Sequence, residues 1–215
     1  MREMPVPLAR VARAARVPSA KRVLDLAGGL LLLTLLSPVF AAVCAAVALT
    51  SPGGVFLRQP RAGRGGAPFS MWTFRTLRTA TATATDRATL ALRDDSRSHL
   101  LTLREDPRTT PVGRLLRRLF LDELPQLLNV VRGEMSLVGP RPLPVADSGY
   151  TGLARGRLTV RPGMTGLWQV SGRSELPWDE MVLLDLEYVD THCLAVDLGI
   201  MARTVPALLT ARGAH

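Results

Sequence analysis

Lysine, cysteine and aromatic residues are all scarce in this chain. Of its 27 basic residues only Lys21 is a lysine. The two cysteines, Cys44 and Cys193, belong to no CxxC pair, which argues against a disulfide framework or a zinc site. Three histidines, His99, His192 and His215, are scattered and read as surface residues rather than metal ligands. Aromatics make up 5% of the chain, too few for a surface that stacks on successive bases. Neither a Walker loop nor a dinucleotide fingerprint occurs.

What the chain has is arginine. The net charge is +9 over 215 residues, and so basic a protein seeks anions: nucleic acid, anionic lipid or phosphorylated substrates. The basic residues are dispersed rather than gathered in one stripe, which weighs against nucleic acid. The length gives room for one domain of ordinary size plus an appendage.

The appendage is the other compositional extreme. Leu26 to Leu49 carries no charge. As a helix its 24 residues would extend roughly 36 Å at ~1.5 Å per residue, enough for a hydrocarbon core of ~30 Å. It is long for a cleavable signal peptide and follows a long basic leader. Ser37-Pro38 interrupts it at the centre, and proline removes a donor and clashes with the preceding turn, so a kink is expected.

Both flanks are basic: Arg2, Arg10, Arg13, Arg16, Lys21 and Arg22 before the run, then Arg58, Arg61, Arg64, Arg75 and Arg78. Positive flanks prefer the cytoplasm, so a hairpin that dips in and returns at Ser37-Pro38 satisfies both ends. The Ser37 hydroxyl is expected to satisfy the broken backbone locally. Asp25 is expected to pair with Lys21 and Arg22 at the interface. A kinked spanning helix is the alternative.

Beyond the turn Ser51-Pro52-Gly53-Gly54, Val55–Leu57 and Phe69–Leu77 read as strands around a glycine-rich basic turn, 61–68. Residues 79–104, opening on a Thr/Ala-rich run, read as a mobile insert. Leu115, Leu116, Leu119, Phe120, Leu124, Leu127, Leu128 and Val131 have helical spacing. Pro125 predicts a break near Asp122-Glu123 and a new helix from about Pro125, with the acid pair at its start. Gly133 and Gly139 are expected to mark tight turns. Pro140-Arg141-Pro142 reads as a stiff extended strip that fixes where Arg141 points. Residues 144–158 read as loop, and 161–170 as loop followed by a short strand. Helices are expected from Pro177 to about Val189 and from about Leu198 to Leu209. Leu198, Met201, Val205, Leu208 and Leu209 form one face of the second, for the core or for a membrane surface.

The candidate chemistry lies in 114–142. Asp122 and Glu123 follow Arg114, Arg117 and Arg118, and Arg141 lies between Pro140 and Pro142. A carboxylate beside fixed cations suits phosphate chemistry, since it can attack phosphorus or hold a hard metal ion while arginine forks grip phosphate oxygens. The plainer reading is a helical Asp122–Arg118 pair at i,i+4.

An ordered set of stretches resembles one family, the bacterial sugar transferases (monotopic polyprenyl-phosphate phosphoglycosyl transferases). They are KRVLD at 21–25, SP at 37–38, SPGGVFLRQPRAG at 51–63, FRTL at 74–77 and DPRTTPVGRLLRR at 106–118. LDELPQLLNVVRGEMSLVGPRP at 121–142, RPGMTGLWQVSGR at 161–173 and the closing LDLEYVDTHCLAVDLGIMARTVPALL complete the set.

The resemblance implies an α+β, mainly helical protein. A basic segment, 1–20, would lead into a re-entrant membrane hairpin, 21–50, carrying Lys21, Arg22, Asp25, Ser37 and Pro38. A small globular catalytic domain with amphipathic surface helices, 51–215, would lie on the cytosolic face of the bacterial inner membrane. The implied reaction moves a sugar 1-phosphate from a nucleotide diphosphate sugar, usually a UDP-sugar, to polyprenyl (undecaprenyl) phosphate, the first membrane step of polysaccharide or glycoconjugate assembly. Asp122 would be the nucleophile, and Glu123 would help hold Mg2+. Arg117 and Arg141 would contact phosphate, and Gln169 and Arg173 the nucleotide or sugar. The partners are thus the donor, the lipid acceptor and the membrane, with no nucleic acid; a homo-oligomer is left open. Two positions depart from the family pattern. Thr73 stands where a lysine is usual before the phenylalanine of FRT, and Phe120 where a serine is usual before LDEL. The alternative function is a membrane-anchored basic module that binds nucleic acid or anionic lipid without catalysis.

Overall fold

The computed structural model describes residues 19–51, 53–77, 109–145, 151–172 and 176–209. The expected insert 79–104, Arg173 and nearly all of the basic segment 1–20 lie outside the described residues. The described residues are mainly helical and include two small two-stranded sheets.

Helix α1, Ser19–Leu35, and helix α2, Ser37–Thr50, meet at a 63° bend. Pro38 cannot donate to the carbonyl of Thr34, four residues back. The Ser37 hydroxyl donates to it instead, at 2.8 Å, so the break is satisfied locally as expected. No single helix among the described residues is long and apolar enough to cross a membrane. The outer face of the pair stays uncovered, with Leu31, Leu35 and Leu49 at 66%, 69% and 87% exposure.

Both helices of this pair return to the same domain. The start of α1 was expected to pair its own charges with one another at an interface, and here the structure differs. Asp25 is buried and accepts from the Ser136 hydroxyl (2.8 Å) and the Leu137 amide (3.0 Å). Lys21 donates to Asp197 at 2.6 Å, the Tyr188 hydroxyl at 3.2 Å and the Val138 carbonyl at 3.1 Å. Arg22 donates to the carbonyls of Val130 and Val131, both at 2.7 Å. The reason is packing: this face of α1 lies on the domain, with Gly28 against Leu137 and Gly29 against Val130 and Val131. Buried charges must find partners across that seam rather than along their own helix. At the other end, Val43 and Val47 of α2 bury against Phe74 and Leu116, with Phe40 and Phe56 alongside.

Strand β1, Phe56–Ala62, pairs antiparallel with β2, Pro68–Phe74. β1 runs further than expected and takes in Arg61 and Ala62. The turn narrows to Gly63–Ala67, where Gly65 and Gly66 adopt positive φ. Helix α3, Pro111–Arg118, is capped by the Thr110 hydroxyl, which accepts from the Gly113 amide at 2.9 Å. A 3-10 turn, Leu121–Glu123, and helix α4, Gln126–Arg132, follow. Strand β3, Ser136–Val138, runs parallel to β4, Gly163–Thr165.

Residues 152–159, expected as loop, form 3-10 turns, and the strand expected before residue 170 is helix α5, Leu167–Ser171. Helix α6 spans Trp178–Thr191. Helix α7 spans Leu194–Leu209, starting a turn earlier than expected. Its core face is Asp197 and Ile200, both fully buried, whereas Leu198, Val205 and Leu208 of the expected stripe are exposed. The main core joins Met71, Leu127, Val130, Met135, Val138, Tyr188 and Ile200. Each large apolar side chain so buried contributes about 1.5–3 kcal/mol.

Candidate active site

The acid pair occupies a turn of its own. After α3 the chain reverses at Phe120, whose φ of 55° is the one positive value among the described non-glycine residues. Asp122 and Glu123 then form the 3-10 turn that Pro125 separates from α4. The expected break at the acids is present.

Arg141, 18 residues further along the chain, reaches this turn and binds Glu123 Oε1 at 2.6 Å. Arg117, on α3, is half-buried, and its Nε donates to the Thr76 hydroxyl at 3.1 Å. Arg118 is exposed, and no ion pair joins it to Asp122 among the described residues, so the plain i,i+4 pair is not formed.

Burial and the neighbouring Glu123 charge push the Asp122 carboxyl up to about 6, against the opposing pull of Arg117 and Arg141. The carboxylate still predominates at neutral pH, in a partly buried place. An ionised carboxylate with two guanidinium groups acting on it has the chemistry to attack an electrophilic, anionic phosphorus. Glu123 in turn raises the Arg141 guanidinium further and keeps it charged.

The strip around Arg141 is held at almost every carbonyl. Val138 accepts from Lys21 and Tyr188, Pro140 from the Gly163 amide at 2.9 Å, and Arg141 from Arg157 at 3.1 Å. Pro142 accepts from Arg61 at 3.3 Å and Leu143 from the Ala62 amide at 3.1 Å. Pro140 and Pro142 are buried while Arg141 between them is partly exposed. These hydrogen bonds hold the backbone on both sides of Arg141, whose guanidinium points to Glu123. Gly139 differs from expectation. Its backbone needs no positive φ; a side chain there would run into the backbones of Arg161, Pro162 and Gly163. Gly133 does close α4 with a φ of 84°.

Of the remaining sequence candidates, Gln169 donates to the Met164 carbonyl at 3.2 Å, which ties it to its own loop. Thr73 sits in β2 opposite Leu57. Three residues that sequence reasoning missed hold the two arginines. Thr76 of FRTL binds Arg117. Arg157, 2% exposed, pairs with Asp185 at 2.7 Å and grips the Arg141 carbonyl. A carboxylate on the apolar face of a helix, beside Met181, Val182 and Tyr188, was the available signal for Asp185; nothing marked Arg157.

Two adjacent carboxylates fit Mg2+ in its usual manner, through one or two protein oxygens with substrate phosphate supplying others. No group of three or more metal-ligating side chains occurs among the described residues, so an all-protein cage is not what this site offers.

The family model described as bacterial sugar transferase matches residues 16–211. The chain is 40% identical over 200 residues to "Exopolysaccharide production protein ExoY" of Rhizobium meliloti (strain 1021), covering 91% of this chain and 88% of that one. It is 39% identical over 207 residues to the protein of the same description in Sinorhizobium fredii, covering 91% and 88%. It is 41% identical over 218 residues to "UDP-glucose:undecaprenyl-phosphate glucose-1-phosphate transferase" of Caulobacter vibrioides, covering 97% and 75%. These matches take in the helix pair, the acid turn and the Arg141 strip together. The chain belongs to the bacterial sugar transferase family, and so is an enzyme and not a non-catalytic basic module.

Proposed function

We propose that this enzyme transfers a sugar 1-phosphate from a UDP-sugar to polyprenyl phosphate, with Asp122 as the nucleophile. The observation that carries this is the setting of Asp122: half-buried, pushed up to about 6, beside Glu123 and under the influence of both Arg117 and Arg141. The name of the Caulobacter relative supports the donor and acceptor classes.

An Asp122 oxygen attacks the phosphorus that bears the sugar. The diphosphate P–O bond breaks and UMP leaves with its electron pair. A polyprenyl phosphate oxygen then attacks the same phosphorus, forming polyprenyl-diphosphate-sugar and freeing the carboxylate. Arg117 and Arg141 offset charge on the phosphoryl oxygens, which is most of what such a transfer demands. Glu123 both orients Arg141 and, with the donor diphosphate, would hold Mg2+. The ion would neutralise part of the diphosphate charge.

The helix pair is read as a re-entrant hairpin in the cytosolic leaflet of the inner membrane. In support, the start of α1 and the later turns of α2 both pack on one domain, while the outer leucines stay uncovered. The exposed Leu198, Val205 and Leu208 on α7 suit a helix lying on the same surface. The products would feed exopolysaccharide assembly.

Asp122→Asn is the test. With a UDP-sugar panel and Mg2+, the parent should release UMP, and labelled sugar should remain on the denatured protein when acceptor is withheld. The variant should do neither; UMP release at the parent's rate would remove Asp122 from the mechanism.

A further inference from the structure

Arg141 is fixed at both ends of the residue. Its guanidinium meets Glu123 at 2.6 Å, and its carbonyl accepts from Arg157 at 3.1 Å. Arg157 is itself controlled by one helix. Its Nε and Nη2 both lie 2.7 Å from Asp185 Oδ2, and its guanidinium carbon lies 5.3 Å from the ring of Trp178. Trp178 and Asp185 both belong to α6. One turn past Asp185, Tyr188 of the same helix donates to the Val138 carbonyl at 2.9 Å. α6 therefore grips the Val138–Arg141 segment at its two ends, once directly and once through a buried ion pair.

We propose that Asp185 is a positioning residue for Arg141, acting through Arg157 to set where the phosphate-contacting guanidinium points. The proposal rests on the reading of Arg141 as a phosphate contact.

A buried pair of this kind is a weak source of stability, because desolvation offsets most of the attraction. Its geometry is nonetheless specific. A carboxylate oxygen that takes both Nε and Nη2 leaves the guanidinium plane one orientation, and that orientation directs Nη2 to the Arg141 carbonyl. Arg141 has no freedom to compensate, since the carbonyls on either side of it are bonded to Gly163 and Arg61. A displacement of about 1 Å at a positioned group can cost on the order of a hundredfold in rate.

The experiment is a mutant cycle on the full-length enzyme, reading UMP release with a UDP-sugar and polyprenyl phosphate, beside the thermal midpoint. Asp185→Asn should lower kcat by about tenfold or more. On an Arg141→Lys background the same change should cost less than about threefold, since the group it positions has already been replaced. Asp185→Asn leaves a buried charge unpaired, so a second variant, Arg157→Met with Asp185→Leu, removes both charges. It should keep a midpoint near the parent's and still lose kcat. Fully multiplicative losses in the cycle, or a charge-free pair that turns over at the parent's rate, would overturn the positioning role. If Arg141→Lys alone works like the parent, Arg141 is no phosphate contact and both readings fall. If Arg141→Lys is impaired and Asp185→Asn is not, only the positioning role falls.

Discussion

Ser37 donates its hydroxyl to the carbonyl of Thr34, the acceptor that Pro38 cannot serve. The two residues therefore work as a unit: one opens the helix and the other closes the vacancy in its hydrogen bonding. Ser37→Ala should destabilise the protein by about 1 kcal/mol in detergent. Pro38→Ala restores an N–H that can reach Thr34, so Ser37→Ala on that background should cost much less. Thermal midpoints of the four proteins give the coupling directly. Equal costs on both backgrounds would mean the hydroxyl does not replace the missing donor.

Arg117 and Arg141 both lower the Asp122 carboxyl, against burial and Glu123. In the proposed mechanism Asp122 attacks when deprotonated, so kcat/KM should fall as pH drops through about 6. Arg117→Gln removes one lowering influence and should move this acid limb upward. Asp185, also pushed up to about 6 by burial, titrates in the same region. The measurement therefore compares limb positions between parent and Arg117→Gln, where Asp185 is common to both. A limb that stays put would mean Arg117 does not act on Asp122.

Stability has the opposite sign at these two carboxyls. A carboxyl raised to about 6 in the fold, against ~3.9 unfolded, favours the folded state below pH 4 and loses that contribution as pH climbs through 6. Asp122→Asn cannot ionise and should flatten this part of the stability curve. Chemical denaturation at pH 5 and pH 7.5 would show it as a smaller difference between the two.

The sole lysine, Lys21, places its ammonium on three acceptors in a buried site. An ammonium has three donors and can meet them all; a planar fork cannot do so in the same space. Lys21→Met would leave Asp197 buried without its cation, at a cost of about 3–5 kcal/mol. Lys21→Arg should recover only part of that. Urea midpoints in detergent would rank the three proteins.

Gly133 ends α4 at a φ of 84°, with the Arg22 guanidinium 3.3 Å from where a Cβ would sit. Gly133→Ala should cost about 1 kcal/mol for the backbone alone. It should also push Arg22 off the Val130 and Val131 carbonyls. A loss larger than that of Arg22→Ala would confirm that the glycine serves both needs.

Much of the site was legible because it is local. Asp122-Glu123 with the break forced by Pro125, and Arg141 with its bracketing prolines, are each short runs of adjacent residues whose constraints are steric. The Ser37-Pro38 break was legible for the same reason. What escaped was pairing at a distance. Lys21, Arg22 and Asp25 looked like partners because helical spacing allows it, yet each finds its partner more than a hundred residues away. Arg157 and Asp185 are ordinary charges until the fold brings them together. Gly139 had a signal, but its cause was contact between backbones rather than a turn.

The way α1 completes β3 has a practical corollary. Asp25 supplies acceptors for Ser136 and Leu137, and Lys21 caps Val138, so the strand that leads to Arg141 is finished by the very segment one would trim away to isolate residues 51–215. Cutting the chain near Ser51 would not release a working catalytic half from the helix pair. It would unseat the arginine.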